Sequence, residues 1–344
     1  MSHDLAATGE AARVYRLRPD IVKVERRDLI ILVSTKDGKS VRVSPAARTL
    51  LPLLAEGAPF DGLLARLRDN HPDQAGIPRK LQAFLEQIGG TGLLDDGSCA
   101  SRRPLRTPRV VLLHPDRAMA HLAVLVRRAP AWLGWACLAL ALLAAVGGIA
   151  ALVISGRLPH PRELVSSFDP WALLLFALVV VPIHEASHAL ACRLAGAPVG
   201  SAGIVFHGWL VPGPYVETTQ AYRVRERWKR FWIPAAGPVV DFISCGVAAW
   251  VVVVATPDQT QLSSTAIWLF LISAVFVYLD TNPLTPSDGS HMLEAVLDDE
   301  LARRSALGLR SRARLSHWRT VAWYRMASSI HAQSSLLLAY FWWT

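Results

Sequence analysis

Four stretches of the chain stay apolar for longer than a soluble helix requires. Residues 131–155, AWLGWACLALALLAAVGGIAALVIS, run for 25 positions without a charge, and about 20 apolar residues are enough to cross the hydrocarbon core of a bilayer. Runs over about 170–194, 232–255 and 265–282 have the same character. A fifth, about 318–344, contains Arg319, Arg325, His331 and Gln333. It predicts either a span or an amphipathic helix along the surface. The first hundred or so positions are patterned differently. The segment DIVKVERRDLIILVSTKDGKSVRVS reads as short strands, with a hairpin signal at Asp37-Gly38. Ser44-Pro45 opens a helix whose apolar face is Ala47, Leu50, Leu51 and Leu54, and Gly57 stops it. Further helices are expected from Asp61 to about Asn70 and from about Ile77 to Ile88, where Gly89-Gly90 ends the last. Together these patterns predict a polytopic α-helical membrane protein of four to five spans with a small N-terminal α+β winged-helix-like domain. That domain occupies 15–98. An Arg- and Pro-rich linker follows over 99–130, with a surface helix near 118–126, and the membrane domain fills 131–344.

Composition agrees with the membrane assignment. Hydrophobic residues make up 52% of the chain and charged residues 18%, a balance that excludes an ordinary soluble enzyme of this length. The net charge is +9, and its placement matters more than its size. Arg223, Arg225, Arg227, Lys229 and Arg230 lie between the second and third runs, and Arg303, Arg304, Arg310, Arg312 and Arg314 follow the fourth. The other two loops hold only Arg157 and Arg162. Basic loops stay inside, which predicts a multi-pass protein of the cell membrane with a cytoplasmic N-terminal domain. The opening MSHDLAATGEAAR has no apolar core, so no secretory signal is expected there. Nucleic acid is not an expected partner, because the helix beginning near Ile77 offers only Arg79 and Lys80 as cations. Cys99, Cys137, Cys192 and Cys245 form no C-x-x-C pair, and the last three lie in apolar stretches. They are read as small buried hydrophobes, without disulfides or cysteine-bound metal.

Chemistry enters at His184-Glu185-Ala186-Ser187-His188, inside the second apolar run. Two histidines four apart share one face of a helix and suit a tetrahedral divalent ion, above all Zn2+. Glu185 beside them can take a proton from a water that such an ion activates. Ionisable groups at bilayer depth are costly and mark function. If the second span enters from outside near Pro170, His184 lies about 21 Å in at 1.5 Å per residue, in the cytosolic half of the membrane. A catalytic zinc needs a third protein ligand. Asp288 in Pro-Ser-Asp-Gly meets the membrane on that same side, and Asp280, His291 and His207 are its rivals. Asp241 in the third span reads as a polar group aimed at the substrate or at the activated water.

These residues resemble the site-2 protease family of intramembrane zinc metalloproteases. That family carries H-E-x-x-H, then Gly-Pro-x-x-Asn, then Asn-Pro…Asp-Gly in successive spans. The chain has His184 to His188, then Gly237-Pro238-Val239-Val240-Asp241, then Asn282-Pro283 running on to Asp288-Gly289. The resemblance covers about 170–295. It implies that His184, His188 and Asp288 bind zinc, that Glu185 is the general base, and that Asp241 and Asn282 handle substrate. Asp241 stands where the family has Asn. The Gly-Pro and Asn-Pro elements are expected to break their helices beside the site, giving an extended substrate segment somewhere to pair.

A second resemblance covers about 15–95. LRPDIVKVERRD, DGKSVRVSPAARTLLPLL and LQAFLEQIGGTGLL are similar to PqqD-like RiPP recognition elements, which bind leader segments of ribosomally made precursor peptides. It implies that a leader adds as a strand beside Lys39, Ser40, Val41, Arg42 and Val43. Joined, the two resemblances imply a zinc endopeptidase that matures a precursor peptide at the membrane. The alternatives are cleavage of a membrane-bound signalling protein such as an anti-sigma factor, and a non-proteolytic metal sensor or transporter. The oligomeric state is left open.

Overall fold

The computed structural model describes residues 13–26, 29–36, 39–70, 76–95, 109–158, 168–207, 211–256, 258–308 and 317–343. The chain divides into two compact units, 1–109 with 206–211, and 110–205 with 212–344. The expected turn at Asp37-Gly38 and the linker residues 99–108 lie outside the described residues.

In the N-terminal unit, β1 (Val14–Tyr15) comes first and a three-stranded antiparallel sheet follows. Its strands are β2 (Ile21–Glu25), β3 (Ile30–Ser34) and β4 (Ser40–Val43), with β3 in the middle. Leu32 lies opposite both Lys23 and Val41. Every residue of β3 is buried, which explains why its sequence is unbroken Ile-Ile-Leu-Val rather than alternating. Ser44 caps the next segment by accepting from the Ala46 amide. The single helix expected here divides into a 3-10 turn, Pro45–Thr49, and α1, Leu51–Glu56. Pro52 is the reason, since it has no N–H for the preceding turn and sits well only at a helix start. Gly57 ends α1 at φ 95°. Ala58–Pro59 forms β5, which pairs with β1. Then come α2 (Phe60–Asn70) and α3 (Ile77–Gly90). The expected stop at Gly89-Gly90 falls two residues later. Both glycines remain helical, and Gly92 makes the left-handed turn at φ 73°. Ile30, Leu32, Leu54, Leu63, Leu81 and Ile88 close the core, each at 1% exposure or less.

The linker is more ordered than its composition suggests. Arg109–Leu113 is a strand, β6, and Asp116–Arg128 is a helix, α4. Proline and arginine density masked an apolar pattern, because Met119 reaches a cluster built on Ala189, Cys192 and Ile233. Four described helices are long and apolar enough to cross a membrane: α5 (Ala131–Ile154), α6 (Pro170–Leu194), α7 (Arg227–Val254) and α8 (Thr260–Asp280). They place the protein in a membrane. Between α6 and α7, the strands β7 (Ala202–His207) and β8 (Val211–Val216) join β6 in a sheet of order β6-β7-β8. A Cβ on Gly203 would stand 2.0 Å from the Val110 carbonyl oxygen, so only glycine lets β7 meet β6. After α8 come α9 (Asp288–Leu297), α10 (Ala302–Ala306) and α11 (Trp318–Trp343). The last is helical as expected but is not among the four apolar spans.

Helix α7 is the centre of the membrane unit and packs against α5, α6, α8 and α9. It begins at Arg227, five residues before the apolar run does. It also corrects the expected Gly-Pro break, because Pro234 and Pro238 both lie inside one continuous helix. The Asn-Pro break is real, since α8 ends at Asp280 and a turn follows through Asn282 and Pro283. Glycines set the α5–α7 contact. A Cβ on Gly246 would meet Ala145 Cα at 2.2 Å, and one on Gly148 would meet the Gly246 carbonyl at 2.5 Å. Small residues draw helices together in just this way inside lipid. Cys192 and Cys245 are buried in the helical packing, as expected, whereas Cys137 is exposed on α5.

Helix α4 is tied to the C-terminal end of α6. The Arg127 Nη2 donates to the Arg193 and Leu194 carbonyls at 3.0 Å each. The Asp116 carboxylate pairs with Arg193 and accepts from the Val199 amide at 2.7 Å. A cation at a helix C-terminus satisfies carbonyls that have no intrahelical donor.

Candidate metal centre

The site begins with a deformation of α6. Phe176–Val180 is a π turn, immediately ahead of Pro182. A proline in a helix interior removes one donor and crowds the preceding turn, and a π turn is a common way to absorb that. The helix that resumes carries His184 and His188 on one buried face, at 9% and 8% exposure.

Each imidazole is held from behind. His184 Nδ1 lies 2.8 Å from Asp241 Oδ2 on α7, and His188 Nδ1 lies 2.7 Å from the Ile233 carbonyl on the same helix. A carbonyl can only accept, so His188 donates from Nδ1. An ionised carboxylate imposes the same tautomer on His184. The two Nε2 atoms therefore present lone pairs, and they face each other at 3.0 Å. Asp288 Oδ2 completes the triangle at 3.2 Å from His188 Nε2 and 3.6 Å from His184 Nε2. Two lone pairs and a carboxylate converging on one point repel unless a cation lies between them.

The donor set fits zinc. Ligands about 2.0–2.1 Å from a tetrahedral ion stand roughly 3.3 Å apart, close to the three separations observed. The backbone also leaves the space. A Cβ on Gly237 would stand 2.4 Å from both Nε2 atoms, so glycine at this point of α7 keeps the centre of the triangle clear. His184, His188 and Asp288 thus form one candidate metal-holding group.

Asp288 owes its position to the turn after α8. The Asn282 Oδ1 accepts from the Leu284 amide at 2.9 Å, and the Ser287 hydroxyl donates to the Asn282 carbonyl. Ser287 and Ser290 then form a capping box, which makes Asp288 the first residue of α9. Gly289 lets this turn press on Thr281, whose carbonyl oxygen a Cβ would approach to 2.2 Å. The Tyr324 hydroxyl on α11 donates to the Pro283 carbonyl at 2.6 Å.

Glu185 lies near enough to His184, His188 and Asp288 to feel their charges, and the Val216 amide at the end of β8 faces it. The pairing of β7 with β8 is not expected from the sequence, which offers His207 there only as a rival metal ligand. Pro212 and Pro214 argued against a strand, but β8 is the edge of its sheet, where missing donors are tolerated. The Val-Phe-His and Tyr-Val pieces on either side of His-Gly-Trp were the available signal. Two other partners were also missed, the Ile233 carbonyl and Gly237, and the second sits in the quoted Gly-Pro pair.

The remaining candidates separate. His291 is half-exposed and faces Glu294 at 3.3 Å, and it is not part of the group formed by His184, His188 and Asp288. The His207 side chain lies outside the described residues. Asp280 gathers with Asp241 and His184 in a second group. Asp241, 1% exposed, lies behind His184. Asn282 is engaged in its own turn. Lys39, Ser40, Val41, Arg42 and Val43 lie on or beside β4 in the N-terminal unit.

Taken together, a histidine pair and an adjacent glutamate on an apolar helix, with a carboxylate brought to them by the start of α9, make a candidate metal centre. Residues 171–260 match Peptidase family M50, over about a quarter of the chain. The matched stretch holds His184, Glu185, His188 and Asp241 and ends before Asp288. It points to metalloprotease activity within the membrane. No curated protein and no solved structure matches the chain.

Proposed function

We propose that this protein is a zinc-dependent intramembrane endopeptidase that matures a ribosomally made precursor peptide, whose leader is captured by the N-terminal unit. The observation that carries the protease reading is the convergence of both Nε2 atoms, on a helix apolar enough to span a membrane, with Asp288 Oδ2 from the turn beyond α8.

A zinc ion held by His184, His188 and Asp288 would supply Lewis acidity, which lowers the pKa of a water and polarises a peptide carbonyl. Glu185 accepts the proton of the attacking water and returns it to the leaving amine. Asp241 and the Ile233 carbonyl keep both Nδ1 atoms protonated, so both Nε2 atoms stay available as ligands. A peptide bond inside a helix is shielded, so the substrate must unwind to be cut. The edge strand β8, running to Val216 beside Glu185, offers an unwound segment a hydrogen-bonding partner.

Leader capture is supported by the edge of the N-terminal sheet. The Ser34 amide donates to the Lys39 carbonyl at 2.8 Å. Antiparallel ladders alternate, so Val41 and Val43 also pair inward, while Ser40 and Arg42 turn their backbone groups outward. Gln87 on α3 reaches the Arg42 carbonyl at 3.2 Å, which brings that helix to the strand where a leader would add. Zinc, a leader peptide and the lipid bilayer are the expected associates, with the N-terminal unit in the cytoplasm.

The test is mass spectrometry of candidate precursor peptides, with and without their leader segments, incubated with wild-type and Glu185→Gln protein. The expected outcome is cleavage by wild type only, slowed about 100- to 10,000-fold in the variant, and weakened when the leader is removed. Cleavage by the variant at the wild-type rate defeats the proteolytic reading. Cleavage indifferent to the leader redirects the substrate towards membrane-bound signalling proteins.

A further inference from the structure

Asp241 occupies the position where the family resembled in the sequence carries Asn, and the sequence reads it as aimed at the substrate or at the activated water. Its surroundings support a third role. The carboxylate is 1% exposed, and its Oδ2 stands 2.8 Å from His184 Nδ1. Asp280, at the end of α8, gathers with it and with His184. Gly237, one helical turn earlier on α7, faces the opposite ends of the two imidazoles, at their Nε2 atoms. Helix α7 therefore meets His184 at both ends, with glycine where the metal would sit and aspartate behind the ring.

Resting on the metal-centre reading above, we propose that Asp241 is a positioning residue for His184 rather than a substrate ligand. A carboxylate that accepts from the far nitrogen of a metal-bound imidazole fixes its tautomer, locks the ring plane and makes Nε2 a stronger donor. An asparagine at this place would present a neutral acceptor, or after an amide flip a donor that opposes Nδ1–H. The two histidines are thus supported unequally, His184 by the side chain of Asp241 and His188 by the backbone carbonyl of Ile233. The Asp241 carboxylate also offsets part of the cost of holding a dication at this depth.

The experiment uses the purified full-length chain in detergent micelles, with zinc affinity measured by competition against a chromophoric chelator. Asp241→Asn keeps the shape and removes the charge. The expected result is zinc binding weaker by about 10- to 100-fold, with KM for peptide cleavage unchanged at saturating zinc. Zinc affinity retained within about threefold overturns the proposal, since loss of such support weakens metal binding well beyond that. A wild-type protein that binds no zinc instead removes the metal-centre reading itself, so the two failures are distinguishable. The wild type gives a second measurement that needs no folded variant. With histidine nitrogens isotopically labelled and zinc bound, His184 should show a protonated, strongly hydrogen-bonded Nδ1 and a metal-bound Nε2. The reverse assignment overturns the proposal.

Discussion

The two units of this chain bury opposite things. The N-terminal unit closes on Ile30, Leu32, Leu54, Leu63, Leu81 and Ile88. Among the described residues its fully buried polar side chain is Ser34, whose hydroxyl donates to Asp20 at 2.6 Å. The membrane unit exposes Trp132, Leu140, Leu143, Leu178, Val247 and Val254, and buries His184, His188, Asp241, Ser273, Ser290 and Glu294. In water, removing apolar surface drives folding. Among lipid tails that force is missing between helices, and close packing of small residues with internal polar contacts takes its place. The comparison teaches that an apolar surface with a polar interior is what lets this chain hold charged chemistry where water is scarce.

That contrast can be broken from either side. The largest effect is expected in the water-soluble core. Leu54→Ala removes a side chain at 0% exposure and should cost about 2–5 kcal/mol. Hydrogen exchange on the full chain should show faster exchange across β3 and α3, while zinc affinity stays at the wild-type value. A change in zinc affinity would sink this expectation. The next effect is in the membrane unit, where a single methyl is added rather than removed. Gly237→Ala puts a Cβ 2.4 Å from both Nε2 atoms. Overpacking of about 1–3 kcal/mol there corresponds to roughly 5- to 150-fold weaker zinc binding, read by chelator competition. The N-terminal unit should exchange as in wild type.

The smallest effect is electrostatic and sharpens the contrast between exposed and buried charge. Burial alone would raise the Asp20 carboxyl, but hydrogen bonds from Ser34 and Arg18 and the Arg18 charge hold it below its ordinary value of 3.8. A lowered carboxyl stabilises the fold fully above its unfolded-state pKa, and that contribution disappears as pH falls through the lower folded-state value. Acid unfolding of the N-terminal unit, followed by hydrogen exchange, should therefore depend less steeply on pH below about 4 in Asp20→Asn. At neutral pH the variant should be only modestly less stable, because the pair is partly exposed and screened.

Legibility in the sequence followed the range of the interaction. The spans, the histidine pair and the helices after Ser44 follow from local periodicity, and all appear near the expected places. Pro52 split one helix, and Pro234 and Pro238 failed to split another, because a proline's effect depends on whether neighbouring helices hold the chain straight around it. The β6-β7-β8 sheet was invisible because β6 and β7 are separated by α4, α5 and α6, and no local pattern announces such a pairing. Asp288 was selected by topology and an Asp-Gly turn. The capping box and the Thr281 contact that aim it are tertiary facts.

The sequence by itself determined that this chain crosses a membrane and places two imidazoles and a carboxylate on one helix there. Hydrophobic length and a four-residue spacing are properties of adjacent positions, and lipid imposes them without reference to the rest of the fold. Only the tertiary structure decided which nitrogen of each histidine faces the centre. The acceptors that choose, Asp241 and the Ile233 carbonyl, come from another helix, and a hydrogen bond acts only over the last 3 Å or so.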